Sequence, residues 1–188
     1  SVLLTILSVT ISTFVLLGIE HIRAEARESF NNSVSGVDLI VGARTGQLNL
    51  LLYSVFHIGH ATNNIAWASY QALLTDHKIA WAIPISLGDS HRGYRVVGTT
   101  PDFFTHYRYG EQQPLTFTTG RAISQRFDVV LGAQVAKSLG YRRDDSIHLV
   151  HGIGRTQFSV HDEHAFNIVG ILKPTGTPID HALYVSLE

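Results

Sequence analysis

Residues 1–19, SVLLTILSVTISTFVLLGI, contain no charged side chain. At about 1.5 Å of rise per residue, a helix of that length spans roughly 29 Å, close to the thickness of a bilayer's hydrocarbon core. Every charge in the chain lies downstream, in sequence that is polar and mixed in pattern. The stretch therefore reads as a transmembrane helix that holds a water-soluble domain at a membrane surface. A signal peptide needs a basic lead and a small-residue cleavage site. Here no basic residue comes first, and Leu16-Leu17-Gly18-Ile19 is a poor site. A buried core helix would show a polar face. The chain holds no methionine, its first position included, so a segment of a longer protein is expected. Without the flanking charges, orientation is not readable from loop basicity.

Ser1, Thr5, Ser8 and Ser12 fall on one face of this helix. Small hydroxyl residues allow close approach between membrane helices, so this stripe is the expected packing face. The remaining sequence, roughly 165 of the 188 residues, suffices for one domain or two small lobes. Fourteen basic residues against fifteen acidic ones leave a net charge of -1, with no electrostatic footprint for nucleic acid. The lack of cysteine excludes disulfides and thiolate chemistry and fits a reducing cytosol or a bacterial periplasm equally well.

After the apolar run, residues 20–33 contain strong helix formers and no breaker before Asn31-Asn32-Ser33, so the helix is expected to continue as a stalk. Val37 to Gly42 alternates and is β-branched, which predicts a strand. Leu48 to Ile58 predicts a helix closed by Gly59, and a second helix follows from Asn63 to about Lys78. Ile79–Leu87 and Tyr94–Thr99 predict strands around a turn at residues 88–93. Pro101 opens a short helix, and Tyr109 to Pro114 reads as a loop. Asp128–Leu131 predicts a strand feeding a helix, Ala133–Leu139, stopped by Gly140. Strands are expected at 146–150, 157–160, 166–172 and 182–187, the last preceded by a turn at 174–178. The order is mixed α+β, without a βαβ repeat.

These elements carry a resemblance. Val97-Gly98-Thr99-Thr100-Pro101-Asp102-Phe103-Phe104 precedes Pro114-Leu115 and Gly120-Arg121. Val129-Val130-Leu131-Gly132, Asp145-Ser146-Ile147 and Phe166-Asn167-Ile168-Val169-Gly170-Ile171-Leu172 follow, and Ala182 to Glu188 closes the series. The ordered set resembles the MacB-like periplasmic core domain of ABC transporter permeases of the MacB, LolC/LolE and FtsX type. Asp38-Leu39-Ile40-Val41-Gly42-Ala43 and Ser54-Val55-Phe56-His57-Ile58 depart from MacB itself and suggest a sister branch. The resemblance implies an inner-membrane protein of four membrane helices with its soluble domain in the periplasm. It also implies two lobes, a Porter-like one from residues 34–100 and 165–188 and a Sabre-like one inserted at 101–164. ATP and magnesium would bind a separate ABC ATPase subunit, and no cofactor is expected in this segment. A second permease half and a periplasmic protein are the further partners implied. The work of such a permease is to couple ATP hydrolysis to periplasmic motion, in efflux or in lipoprotein or peptide handling.

Chemistry within the chain is sparse. No P-loop, dinucleotide fingerprint, G-x-S-x-G elbow or H-E-x-x-H motif occurs, so no catalytic residue is assigned. The eleven histidines are the exception, in pairs three apart: His57 and His60, His148 and His151, His161 and His164. Of these, His151, His161 and His164, beside Asp162 and Glu163, are the candidate zinc ligands. The plainer reading is surface histidines plus one or two held in the fold. A membrane-anchored metal-binding or sensory module is the alternative function, and an anchored enzyme has the least support. Aromatic residues Trp67, Tyr70 and Trp81 are weighed as core against contact surface. Phe103, Phe104, Tyr107 and Tyr109 are the candidate partner-contacting set, with core packing as the alternative.

Overall fold

The computed structural model describes residues 2–33, 35–59, 63–151 and 165–187. Helix α1, Val2–Ser33, is unbroken from the apolar run through the stalk, about 48 Å in all. Within Val2–Glu25 an 18-residue window has a mean hydropathy of 2.4 and is wholly unburied, which suits a membrane span by length and composition.

The head is built on one mixed sheet. Its strands are β1 (Ser86–His91), β2 (Tyr94–Thr99), β5 (Phe117–Gly120), β6 (Asp128–Leu131), β7 (Ser146–Ile147), β8 (Val150–His151), β9 (Phe166–Leu172) and β10 (Ala182–Ser186), in the order β5-β9-β6-β10-β2-β1-β8. β10 pairs parallel with β2 and antiparallel with β6, while β6 pairs parallel with β9. β7 pairs with β9 at one margin and β8 with β1 at the other, so the short segment Ser146–His151 ties the two margins together. A small separate hairpin joins β3 (Arg108–Tyr109) to β4 (Gln113–Pro114).

Both faces of the sheet are covered, which explains why β6 and β10 read as continuous apolar runs rather than alternating ones. Val96, Val129, Leu131, Leu183 and Val185 face helix α5 (Ala133–Leu139) through Val135 and Ala136. Val97, Val130, Leu172 and Tyr184 face the short helix α4 (Asp102–His106) through Phe103 and Phe104. A bulge opposite Val129 and Val130 shifts the parity of β9, so Ile168 and Ile171 share one face though three apart.

Several expectations are corrected. Val37–Gly42 joins no sheet, because β-branched alternation expresses a preference that only a ladder partner can satisfy. The two predicted helices shrink to α2 (Gln47–Ser54) and α3 (Trp67–Leu74). Residues 79–85 form no strand, and Pro84 there has no N–H to give a ladder. β1 instead runs through the expected turn, which tightens to Arg92-Gly93 with φ of 48° and 88°, the type I′ geometry that suits a hairpin. The loop at 109–114 contains the β3–β4 hairpin, and β5 was not foreseen. From the region 101–164 expected as an inserted lobe, β5, β6, β7 and β8 lie in the same sheet as β1, β2, β9 and β10. The strand expected at 157–160 lies outside the described residues.

Candidate functional site at the stalk junction

The last turn of a helix leaves carbonyls without intrahelical partners, and α1 has no basic residue there to meet them. The head supplies the partners. The Asn32 carbonyl accepts the Gly110 N–H at 2.8 Å, and the Ser33 carbonyl accepts the Tyr107 hydroxyl. Ser35 N–H donates to the Arg108 carbonyl at 3.1 Å and closes a one-residue antiparallel bridge. Gly110 can turn here because its φ is 52°, a region that other residues rarely enter. The stalk thus ends fastened to α4 and the β3–β4 hairpin.

Behind the fastening lies an aromatic column. Tyr107 is buried, which pushes its hydroxyl pKa well above the ordinary value. Its ring sits 4.9 Å from that of Phe103, which stacks at 4.9 Å and 24° on Tyr184. Phe104 meets Tyr184 edge-on at 5.9 Å. Tyr184 lies within β10, and its hydroxyl donates to the Ile179 carbonyl at 3.1 Å. Its ionisation is strongly disfavoured, first by burial and then by Tyr107 and Asp180 nearby. Three rings therefore connect the end of α1 to a central strand. Aromatic pairs of this geometry contribute about 0.5–1.5 kcal/mol each beyond their area burial.

The other predicted residues fall as follows. Phe103, Phe104 and Tyr107 are core, because the short α4 turns its aromatic side chains onto the sheet; of the four aromatics proposed for a partner, only Tyr109 keeps partial exposure. Thr5, Ser8 and Ser12 are exposed along α1, while Ser1 lies outside the described residues. His161 and His164 also lie outside them, and His151 is placed only as part of β8. Among the described residues no group of three or more histidine or carboxylate side chains converges as a metal site.

Two histidines that sequence reasoning did not separate from the rest are held inside the head. His91 lies between the His148 carbonyl, 2.7 Å from Nδ1, and the Tyr141 hydroxyl, 2.8 Å from Nε2. A carbonyl only accepts, so Nδ1 carries the proton and Nε2 accepts from Tyr141. Burial above all, with Arg92 and His148 nearby, lowers the His91 pKa against the opposing pull of the His148 carbonyl. His57 is buried with φ of 55°, and its Nδ1 has no hydrogen-bond partner among the described residues. Burial, reinforced by Arg95, lowers its pKa to about 4. Sequence gave one hint of His91, its place beside the Arg92-Gly93 turn.

A continuous helix thus enters the head through a hydrogen-bonded socket backed by aromatic rings. No curated protein matches this chain. The model of one family, the MacB-like periplasmic core domain, matches residues 2–188. By that match over almost its whole length, the chain belongs to the MacB-like periplasmic core domain family, the periplasmic domain of ABC transporter permeases.

Proposed function

We propose that this domain converts ATP-driven movement in the membrane into movement of its periplasmic head, by way of α1, the Tyr107–Phe103–Tyr184 column and β10. The hydrolysing site belongs to a separate ABC ATPase subunit, where ATP and magnesium bind. The observation that carries the reading is the junction itself. A helix unbroken from Val2 to Ser33 has no hinge, and its final carbonyls are bonded to the head rather than to water. A rigid element with fixed ends passes displacement on instead of absorbing it.

The exposed stripe of Thr5, Ser8 and Ser12 suits close packing against another membrane helix, which supports pairing with a second permease half. A periplasmic protein partner and a cargo such as a lipoprotein or peptide complete the proposal at the level of class.

The test is a Gly-Gly insertion after Ala26 in the complete transporter. ATP hydrolysis is expected to persist, while the ATP-dependent movement of the head, followed by spin-label distances, is lost. Head movement that survives the insertion would refute rigid coupling.

A further inference from the structure

We propose that His91 is an acid-released clasp on the margin of the sheet. Neutral, it fastens β8 to β1; with a proton on both ring nitrogens, it lets residues 148–151 come away while the rest of the sheet stays paired. The ring bridges three elements. It stands at the end of β1, its Nδ1 bonds the His148 carbonyl at 2.7 Å just ahead of β8, and its Nε2 meets the hydroxyl of Tyr141, beyond α5, at 2.8 Å. That pattern is complete for one protonation state alone. The carbonyl takes the proton on Nδ1, and the Tyr141 hydroxyl gives its own to a bare Nε2. A second ring proton would point at that hydroxyl and force it to turn away, in a site where His91 is only 7% exposed.

The groups around the ring make the added charge unwelcome. Arg92 follows in the turn, its guanidinium 5.9 Å from the centre of the Tyr141 ring. His148 faces the ring from the β8 side, and Arg92 and His148 both weigh against a cation there. Among the described residues no carboxylate acts on His91; Asp89, two residues back in β1, lies at the register position opposite His151. Folding therefore lowers the His91 pKa, through burial first. A group lowered in this way gives stability that is complete above the ordinary value of 6.5 and is lost as the pH falls below it.

Topology selects the part that yields. His91 pairs with Tyr94 across the tight Arg92-Gly93 turn, and β2 pairs along five residues with β10. Tyr141 is fixed by its own N–H, which donates to the Ala136 carbonyl at 3.1 Å. β8 pairs with β1 through two residues, Val150 and His151. The stub is the weakest of the three attachments, and sub-global opening starts at such places.

The test is hydrogen exchange of the full chain in detergent, each rate corrected for the intrinsic chemical rate at its pH. His57→Asn serves as the background, which removes the other buried histidine. A freed imidazole of ordinary pKa 6.5 favours opening by at most about thirtyfold between about pH 7.5 and pH 5. Exchange in residues 148–151 is expected to accelerate at least about fivefold over that range and to stay at least about tenfold faster than in β6, the mark of opening short of global unfolding. Adding His91→Gln, whose amide has a donor and an acceptor but does not titrate, should abolish the acceleration. No acceleration, an equal acceleration with His91→Gln, or exchange at the β6 rate overturns the proposal. Tyr141→Phe decides the matter if the glutamine variant does not fold. It leaves Nε2 open to a proton within the closed clasp, so the acid response should shrink, and an undiminished response overturns the proposal.

Discussion

Replacing Tyr107 by Phe removes one hydroxyl and leaves the ring column intact. In the native junction that hydroxyl donates to the Ser33 carbonyl, and Ser33 is only 1% exposed. Water cannot readily replace the lost bond, so the cost belongs to the range for a buried hydrogen bond, about 1–2 kcal/mol. The phenyl ring of the variant keeps its packing on Phe103, so little else should change. Urea unfolding of the chain in detergent should show a lower midpoint with the same slope, because the surface exposed on unfolding is unchanged. The loss should also be local. The Gly110 amide, which donates to Asn32 one residue earlier on the stalk, should exchange its proton about tenfold faster, the equivalent of about 1.4 kcal/mol. A stability loss below about 0.5 kcal/mol with unchanged Gly110 exchange would show that the stalk end is held by something other than this socket.

Acid should loosen the head through His57. Its pKa falls from 6.5 to about 4 on folding, so the native state resists a proton that the unfolded chain accepts. The resulting stability is complete above pH 6.5 and disappears as the pH falls towards 4, a loss of about 3 kcal/mol. His91, also lowered, adds in the same direction. Denaturation profiles between those pH values should be flatter in His57→Asn than in the native chain. Gly132→Ala should destabilise by about 2–3 kcal/mol, because an added Cβ would meet the Ile179 and Asp180 carbonyl oxygens at 2.4 and 2.5 Å. Gly88→Ala, with open space around it, serves as the control in the same thermal melts.

Much of the frame was legible in the sequence because local chemistry and tertiary demand agree there. α1 announces itself by the uncharged run up to Ile19, and α5 by the Gly140 that ends it at φ 71°. β2, β6 and β9 have the bounds that their apolar runs suggest. The junction was hidden for a different reason. Pro101 marks a short helix there, but a helix of five residues shows too little periodicity to reveal which way Phe103 and Phe104 point. The pairing of Ser146–His151 with two distant strands is likewise a long-range fact that no local pattern encodes. His91 escaped notice because the sequence placed it within a six-residue turn, while a bulge at Gly88-Asp89 let the strand run on through it.

That same short segment has a bearing on how the protein lives in a crowded membrane. Anchored heads meet one another at high local concentration, and a long bare strand on each would invite end-on-end stacking into fibrils. Among the described residues, β9 and β1 are both occupied along their outer sides by stubs of two to four residues, too brief to seed such growth. Stitching its own hem leaves little open ladder through which a neighbouring copy could stack on the head.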